Sequence, residues 1–242
     1  MVTALIFAGG TGSRMNSKTR PKQFLELHGK PIIIHTINWF ENHNEIDRII
    51  VVCIENWIDT LKEYLKINGI NKVEYIVPGG KTGIESIHNG LKKIYETSSN
   101  PDEEIVLIHD GVRPLITDEL ISQNIKSVRE FGSAITVSPA KETMIIMEGE
   151  NKTITNIPDR TLCGTAKAPQ SFVLSNIYNA YEQAMADELE NIVDSASLML
   201  HYGHKLNTVK CSADNIKITT PSDYYIFRAL YEARENSQIW GF

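Results

Sequence analysis

Apolar residues along this chain fall into short continuous blocks, and between the blocks they recur at helical spacing. Residues 2–8, 48–54, 73–77, 104–109 and 133–138 read as strands, and the unbroken apolar run at 48–54 is of the buried, parallel type. Helical stretches lie between them. One opens at Pro31 and runs to about His43, with Ile33, Ile34, Ile37 and Phe40 on one stripe. Others run from Asn56 to about Asn68, from Gly83 to Tyr95, and from a Thr117 cap to about Phe131, with Asp118 and Glu119 in the dipole-favoured first turn. This alternation predicts right-handed βαβ units in a Rossmann-like, mostly parallel sheet flanked by helices.

The alternation breaks at residues 143–157. Two β-patterned runs, 143–147 and 153–157, flank the polar tip Glu148-Gly149-Glu150-Asn151, which predicts a β-hairpin arm at about 140–160. Helices resume at 174–186 and 194–202, a strand is expected at 205–210 and a short extended piece at 215–219. A last helix starts on the cap Thr220-Pro221, with Asp223 at the third helical position, and ends near Glu235. No linker composition divides the chain, so residues 1–242 read as one domain with an arm.

Composition narrows the function. The net charge of −6 argues against a general nucleic-acid or membrane-surface binder, so any phosphate-binding charge must be local. No apolar run is long enough for a membrane span and no leader pattern opens the chain, so a cytoplasmic location is expected. Three widely spaced cysteines, Cys53, Cys163 and Cys211, form neither a zinc framework nor a disulfide scaffold.

The chemistry gathers where strands end. Three loops follow strands at their C-terminal ends, where open α/β sheets bind ligands: residues 9–22, 79–86 and 110–113. The first contains Gly9, Gly10 and Gly12, whose missing Cβ lets backbone N–H groups wrap an anion. Their spacing matches neither a P-loop nor a dinucleotide fingerprint. Arg14 and Lys22 follow and can clamp a polyphosphate. Asp110 at a strand end can hold Mg²⁺, which takes one or two carboxylates plus phosphate oxygens, and Asp214 is a candidate second carboxylate. Arg113 and Lys217 add positive charge. These residue types suit phosphoryl or nucleotidyl transfer, which depends on positioning and charge neutralisation more than on a protein nucleophile. No nucleophile elbow is present. His109 reads as a strand-end residue packing or bonding to the backbone.

Four spaced motifs carry a family resemblance over nearly the whole chain. Ala8-Gly9-Gly10-Thr11-Gly12-Ser13-Arg14-Met15 with Pro21-Lys22-Gln23-Phe24 resembles the opening loop of cytidylyltransferases acting on sugar-alcohol phosphates. His109-Asp110-Gly111-Val112-Arg113-Pro114, Ala168-Pro169-Gln170-Ser171-Phe172 and Asp214-Asn215-Ile216-Lys217-Ile218-Thr219 resemble that family's HD-x-x-RP, TPQ-x-F and DNIK-x-T motifs. The resemblance implies that CTP and a polyol phosphate are the substrates. Arg14 and Lys22 would stabilise the triphosphate, Asp110 and Asp214 would hold Mg²⁺, and Lys217 would contact the reacting phosphate. Ala8, Gly9, Gly10, Thr11, Gly12, Ser13, Gly79, Gly80, Ser86 and Asp110 would bind the nucleotide. It also implies a homodimer built through the arm, with the partner's Thr143 and the partner's Arg160 on the acceptor beside Arg113.

Departures bear on the acceptor. Ala168 replaces the family's Thr before Pro-Gln, Val193-Asp194 stands where methylerythritol-phosphate enzymes carry Thr-Asp, and Gly83 where they carry Arg. Lost hydroxyls change which polyol a site accepts. The expected acceptor is ribitol 5-phosphate or a related alditol phosphate, with 2-C-methyl-D-erythritol 4-phosphate as the alternative. A hexose 1-phosphate nucleotidyltransferase and a nucleotide-binding regulator without turnover are the more distant readings.

Overall fold

A computed structural model describes residues 1–10, 20–189 and 192–240, with no side-chain account of the last four. Its centre is a seven-stranded sheet in the order β11-β7-β10-β6-β1-β4-β5. The strands are β1 (Val2–Ala8), β4 (Arg48–Cys53), β5 (Val73–Pro78), β6 (Ile105–Asp110), β7 (Ser133–Pro139), β10 (Gly164–Val173) and β11 (Thr208–Lys210). Two short hairpins add β2 (Glu26–Leu27) with β3 (Lys30–Pro31), and β8 (Ile146–Glu148) with β9 (Thr153–Asn156).

Alternate residues of the buried strands face opposite layers. Ala4, Ile6, Ile49 and Val51 pack against α1 (Ile32–Asn42), α2 (Ile58–Ile67) and α4 (Asp118–Phe131). Leu5, Ile50, Val52 and Ile108 pack against α3 (Gly83–Thr97), α5 (Leu174–Ala186) and α6 (Ser195–His201). A smaller cluster, Leu27, Ile32, Val112, Leu115, Ile218 and Phe227, seats α7 (Pro221–Trp240) under the loops that leave β6 and precede α7. The expected caps are present: Thr117 accepts from Leu120 N at 3.3 Å, and Asp223 accepts from Thr220 N at 2.7 Å. No helix among the described residues is long and apolar enough to cross a membrane.

The parallel alternation fails at one strand, and the arm explains why. β10 is antiparallel to both its neighbours, β6 and β7. The chain leaves the C-terminal end of β7 through the arm instead of a crossover helix. It therefore re-enters the sheet from that same end, and β10 must run back down between β6 and β7. Pro169, Gly164 and two alanines hide this strand from a periodicity reading. Elsewhere the differences are of extent. β8 covers only Ile146–Glu148, β11 only Thr208–Lys210, α7 reaches Trp240, and the expected extended piece at 215–219 forms no strand, although Ile218 N donates to Val112 O at 2.9 Å.

Candidate functional site

The C-terminal ends of β1, β5 and β6 converge. Gly9 and Gly79 approach so closely that a Cβ on Gly79 would lie 3.1 Å from Gly9 Cα, and one on Gly9 3.0 Å from Ser86 Oγ. A side chain at either position would have to push its neighbour back by a few tenths of an ångström, which glycine avoids. Ser86 Oγ accepts from Gly80 N at 3.0 Å and donates to Thr82 O at 2.8 Å, so it fixes the 79–82 turn. Buried Gln23 donates from Nε2 to Ala8 O at 2.7 Å and to Gly10 O at 3.3 Å. It thereby ties the short helical turn Lys22–Phe24 to the end of β1 and fixes where the Lys22 backbone lies. Gln23 belongs to the opening motif but its role was not read from the sequence. A Gln just past the loop and eleven residues from its last glycine gives no sign that it braces that loop. Thr11, Gly12, Ser13 and Arg14 lie outside the described residues.

Next along the sheet edge, Asp110 ends β6 and holds two cations. Lys217 Nζ lies 2.6 Å from Oδ1 and Arg113 Nε 2.7 Å from Oδ2. Arg113 Nη1 also donates to Asn215 O at 3.0 Å. Two motifs a hundred residues apart are thus joined around one carboxylate. Burial pushes the Asp110 carboxyl up, but Lys217 and Arg113 outweigh it and hold its pKa at about 2. His109 is fully buried. Burial lowers its pKa to about 4, leaving it neutral, and its Nε2–H donates to Arg113 O at 3.1 Å. It supports the loop, as the sequence suggested.

Asp110, Arg113 and Lys217 open onto a cavity of about 870 Å³ that runs along β10 toward α5 and α6. Lys167, on β10, lines it and was missed by the sequence reading. Nothing in a lone lysine of an alanine-rich stretch marks it. Ala168 and Val193 line it without a hydroxyl. Asp194 caps α6, accepting from Ser197 N at 2.8 Å, and also accepts from Gln170 Nε2 at 2.8 Å. Gly83 lies at the rim.

Two groups of expected residues are not brought to this cavity. Asp214 is exposed, does not line it, and presents its charge to Arg234 of α7. Thr143 and Arg160 are exposed on or beside the arm, where Arg160 Nη1 donates to Lys141 O at 3.1 Å. The arm also exposes Ile145, Ile146, Met147, Ile154, Ile157 and Leu162. No cluster of three or more metal-type ligands occurs among the described residues.

Comparison with known proteins agrees with this geometry. The chain is 49% identical over 241 residues to a ribitol-5-phosphate cytidylyltransferase of Vibrio parahaemolyticus serotype O3:K6, covering all of both sequences. It is 48% identical to another of the same name from Streptococcus agalactiae serotype III, again over all of both. A 2-C-methyl-D-erythritol 4-phosphate cytidylyltransferase of Clostridium botulinum is 34% identical, over 95% of this chain and 97% of that one. The crystal structure of 4-diphosphocytidyl-2C-methyl-D-erythritol synthase from Anaerococcus prevotii superposes with a TM-score of 0.82 at 30% identity, covering 96% of each chain. Residues 2–232 match the family described as IspD: 2-C-methyl-D-erythritol 4-phosphate cytidylyltransferase, and the chain belongs to that family.

Proposed function

We propose that the protein transfers the cytidylyl group of CTP to ribitol 5-phosphate. A phosphate oxygen of the acceptor attacks the α-phosphorus, the bond to the bridging oxygen of the β-phosphate breaks, and pyrophosphate leaves as CDP-ribitol forms. The acceptor phosphate is already anionic near neutral pH, its second pKa being about 6, so no general base is required. This agrees with a His109 that is buried, neutral and bonded to backbone.

The work of the protein is to hold two polyanions together and neutralise the charge that develops between them. Arg14 and Lys22 would clamp the triphosphate beside Gly9 and Gly10. Gly79, Gly80 and Ser86 would border the base. Lys217, oriented by Asp110, would reach the reacting phosphate. Mg²⁺ fits Asp110: the carboxylate is ionised, borders the cavity, and accepts one close cation on each oxygen, which leaves lone pairs available. One such carboxylate suffices when phosphates supply further oxygens. When bound there, the ion would add positive charge against the triphosphate. Exposed Asp214 does not fit as its partner.

The acceptor assignment rests on the higher identity to ribitol-5-phosphate enzymes, 49% against 34%, together with a cavity wall where Ala168 and Val193 offer no hydroxyl. The exposed apolar arm supports a homodimer in which the partner's Thr143 and the partner's Arg160 complete the acceptor side. The test is pyrophosphate release with CTP across ribitol, methylerythritol, arabinitol, mannitol and glycerol phosphates. Ribitol 5-phosphate is expected to give the highest kcat/KM. A higher value for methylerythritol phosphate overturns the acceptor, and release with UTP but not CTP overturns the nucleotide.

A further inference from the structure

The order of groups along the sheet edge separates two ends of the site. Gly79 follows β5, Gly9 follows β1, Asp110 ends β6, and Lys167 lies on β10, the next strand across. Neighbouring strands are about 4.8 Å apart, so Lys167 stands roughly 10 Å from the strand that feeds the glycine loop, with β6 between them. The cavity takes in Asp110, Lys167, Tyr181 and Met185 on this side, and Phe7 with Thr82, Gly83 and Glu85 on the side of the glycine loops.

Lys167 forms no hydrogen bond or ion pair among the described residues, although it is only partly exposed. Among the described residues, the ionisable groups that act on it are the Arg113 guanidinium and the Cys211 thiol, with no carboxylate among them. Burial, and next Arg113, depress its pKa, so a bound anion would stabilise its charged form. Asp194, Glu85 and Glu188 also line the cavity, and none of them pairs with Lys167. Asp194 caps α6, Glu85 accepts from Lys81 N at 2.8 Å, and Glu188 is exposed past the end of α5. Asp110 answers only one of the two charges of Arg113 and Lys217. Beside Asp110, the β6–β10 end thus gathers three cations, Arg113, Lys217 and Lys167, around one carboxylate. A phosphomonoester carries about −1.5 to −2 at neutral pH and suits such a gathering of cations.

We propose that Lys167 is a phosphate-binding residue of this chain, taking the phosphomonoester of the acceptor and not the triphosphate of the nucleotide. The proposal rests on the polyol-phosphate reading above and adds a residue to it. Acting alongside Arg113, Lys167 holds the attacking phosphate from the β10 side while Lys217 approaches from the β6 side.

Lys167→Gln removes the charge and keeps the length of an unpaired side chain, so folding is preserved and the melting temperature is unchanged. Loss of one charge-assisted contact to phosphate is expected to raise the acceptor KM about 10- to 100-fold and to leave the KM for CTP within twofold. Lys167→Arg restores most of the acceptor affinity. An unchanged acceptor KM overturns the proposal, as does a CTP KM that rises equally. Phosphorus NMR titration with inorganic phosphate provides a readout without turnover. Weaker phosphate binding by Lys167→Gln supports the proposal and equal binding overturns it. If the wild-type protein turns over no polyol phosphate, the functional reading falls while this titration still judges Lys167.

Discussion

The β6 end of the site and the arm are built on opposite terms. Around Asp110, the two cations that touch the carboxylate are both tied. Arg113 is held by a carboxylate and by Asn215 O, Lys217 by the same carboxylate, and the loop backbone by His109. Thr143 and Arg160 are exposed, and the strands between them pair only with each other. Leu162 at 86% exposure and Ile157 at 61% stand largely uncovered. One chain thus preorganises the groups that meet developing charge, where rigidity lowers a barrier. It leaves the arm in a form that isolated chains rarely keep, since a contiguous exposed apolar patch generally marks an interface.

The sharpest way to break that contrast is to remove one of the tied cations of the rigid end. Lys217→Ala is expected to lower kcat by about 10³, or ~4 kcal/mol, with the KM for CTP changed only a few-fold, because the charge acts on the transition state more than on bound substrate. Rapid-quench measurement of the chemical step checks this. Equal losses in kcat and in CTP affinity would make Lys217 a simple binding residue.

The two regions also differ in how far the sequence discloses them. The strand-end loops were legible because their chemistry is local: glycines where backbones touch, and an Asp and an Arg three residues apart. The mostly parallel sheet followed from the βα alternation, and the arm from a pattern break at Thr143. What stayed hidden depends on contacts between distant segments. β10 is antiparallel because of where the arm returns the chain, which no residue of β10 records. Gln23 and Lys167 owe their importance to the strands beside them. Asp214, just before Asn215-Ile216-Lys217, read as a second carboxylate beside Asp110, yet one lines the cavity and the other lies near Arg234.

The arm can be tested by charging its apolar surface. Ile157→Asp with Leu162→Asp is expected to convert the proposed dimer to a monomer in sedimentation velocity. It should raise the acceptor KM about 20-fold, near 2 kcal/mol, while the KM for CTP stays within twofold. Both residues are exposed within the chain, so the monomer fold should survive and circular dichroism should be unchanged. A wild-type protein that sediments as a monomer at micromolar concentration removes the interface. A monomeric variant with an unaltered acceptor KM keeps the interface but takes the arm out of the site.

The smallest expected effect concerns the cost of the rigid end. His109 has a folded pKa of about 4 against an ordinary value of 6.5, because burial disfavours its charged form. Acidification therefore protonates the unfolded chain first. The unfolded state binds more protons between pH 6.5 and 4, so stability falls as pH drops through that window and levels off below it. Asp110 acts in a separate range: its pKa of about 2 against 3.8 means that its contribution is lost only as pH falls from about 4 toward 2. Between pH 7 and 5.5, His109 alone should remove about 1 kcal/mol of stability. His109→Gln keeps a donor for Arg113 O and does not titrate, so the difference between its urea stability and that of the wild type should shrink or reverse over this interval. Parallel pH profiles for the two proteins would show that some other group sets the acid sensitivity of the β6 end.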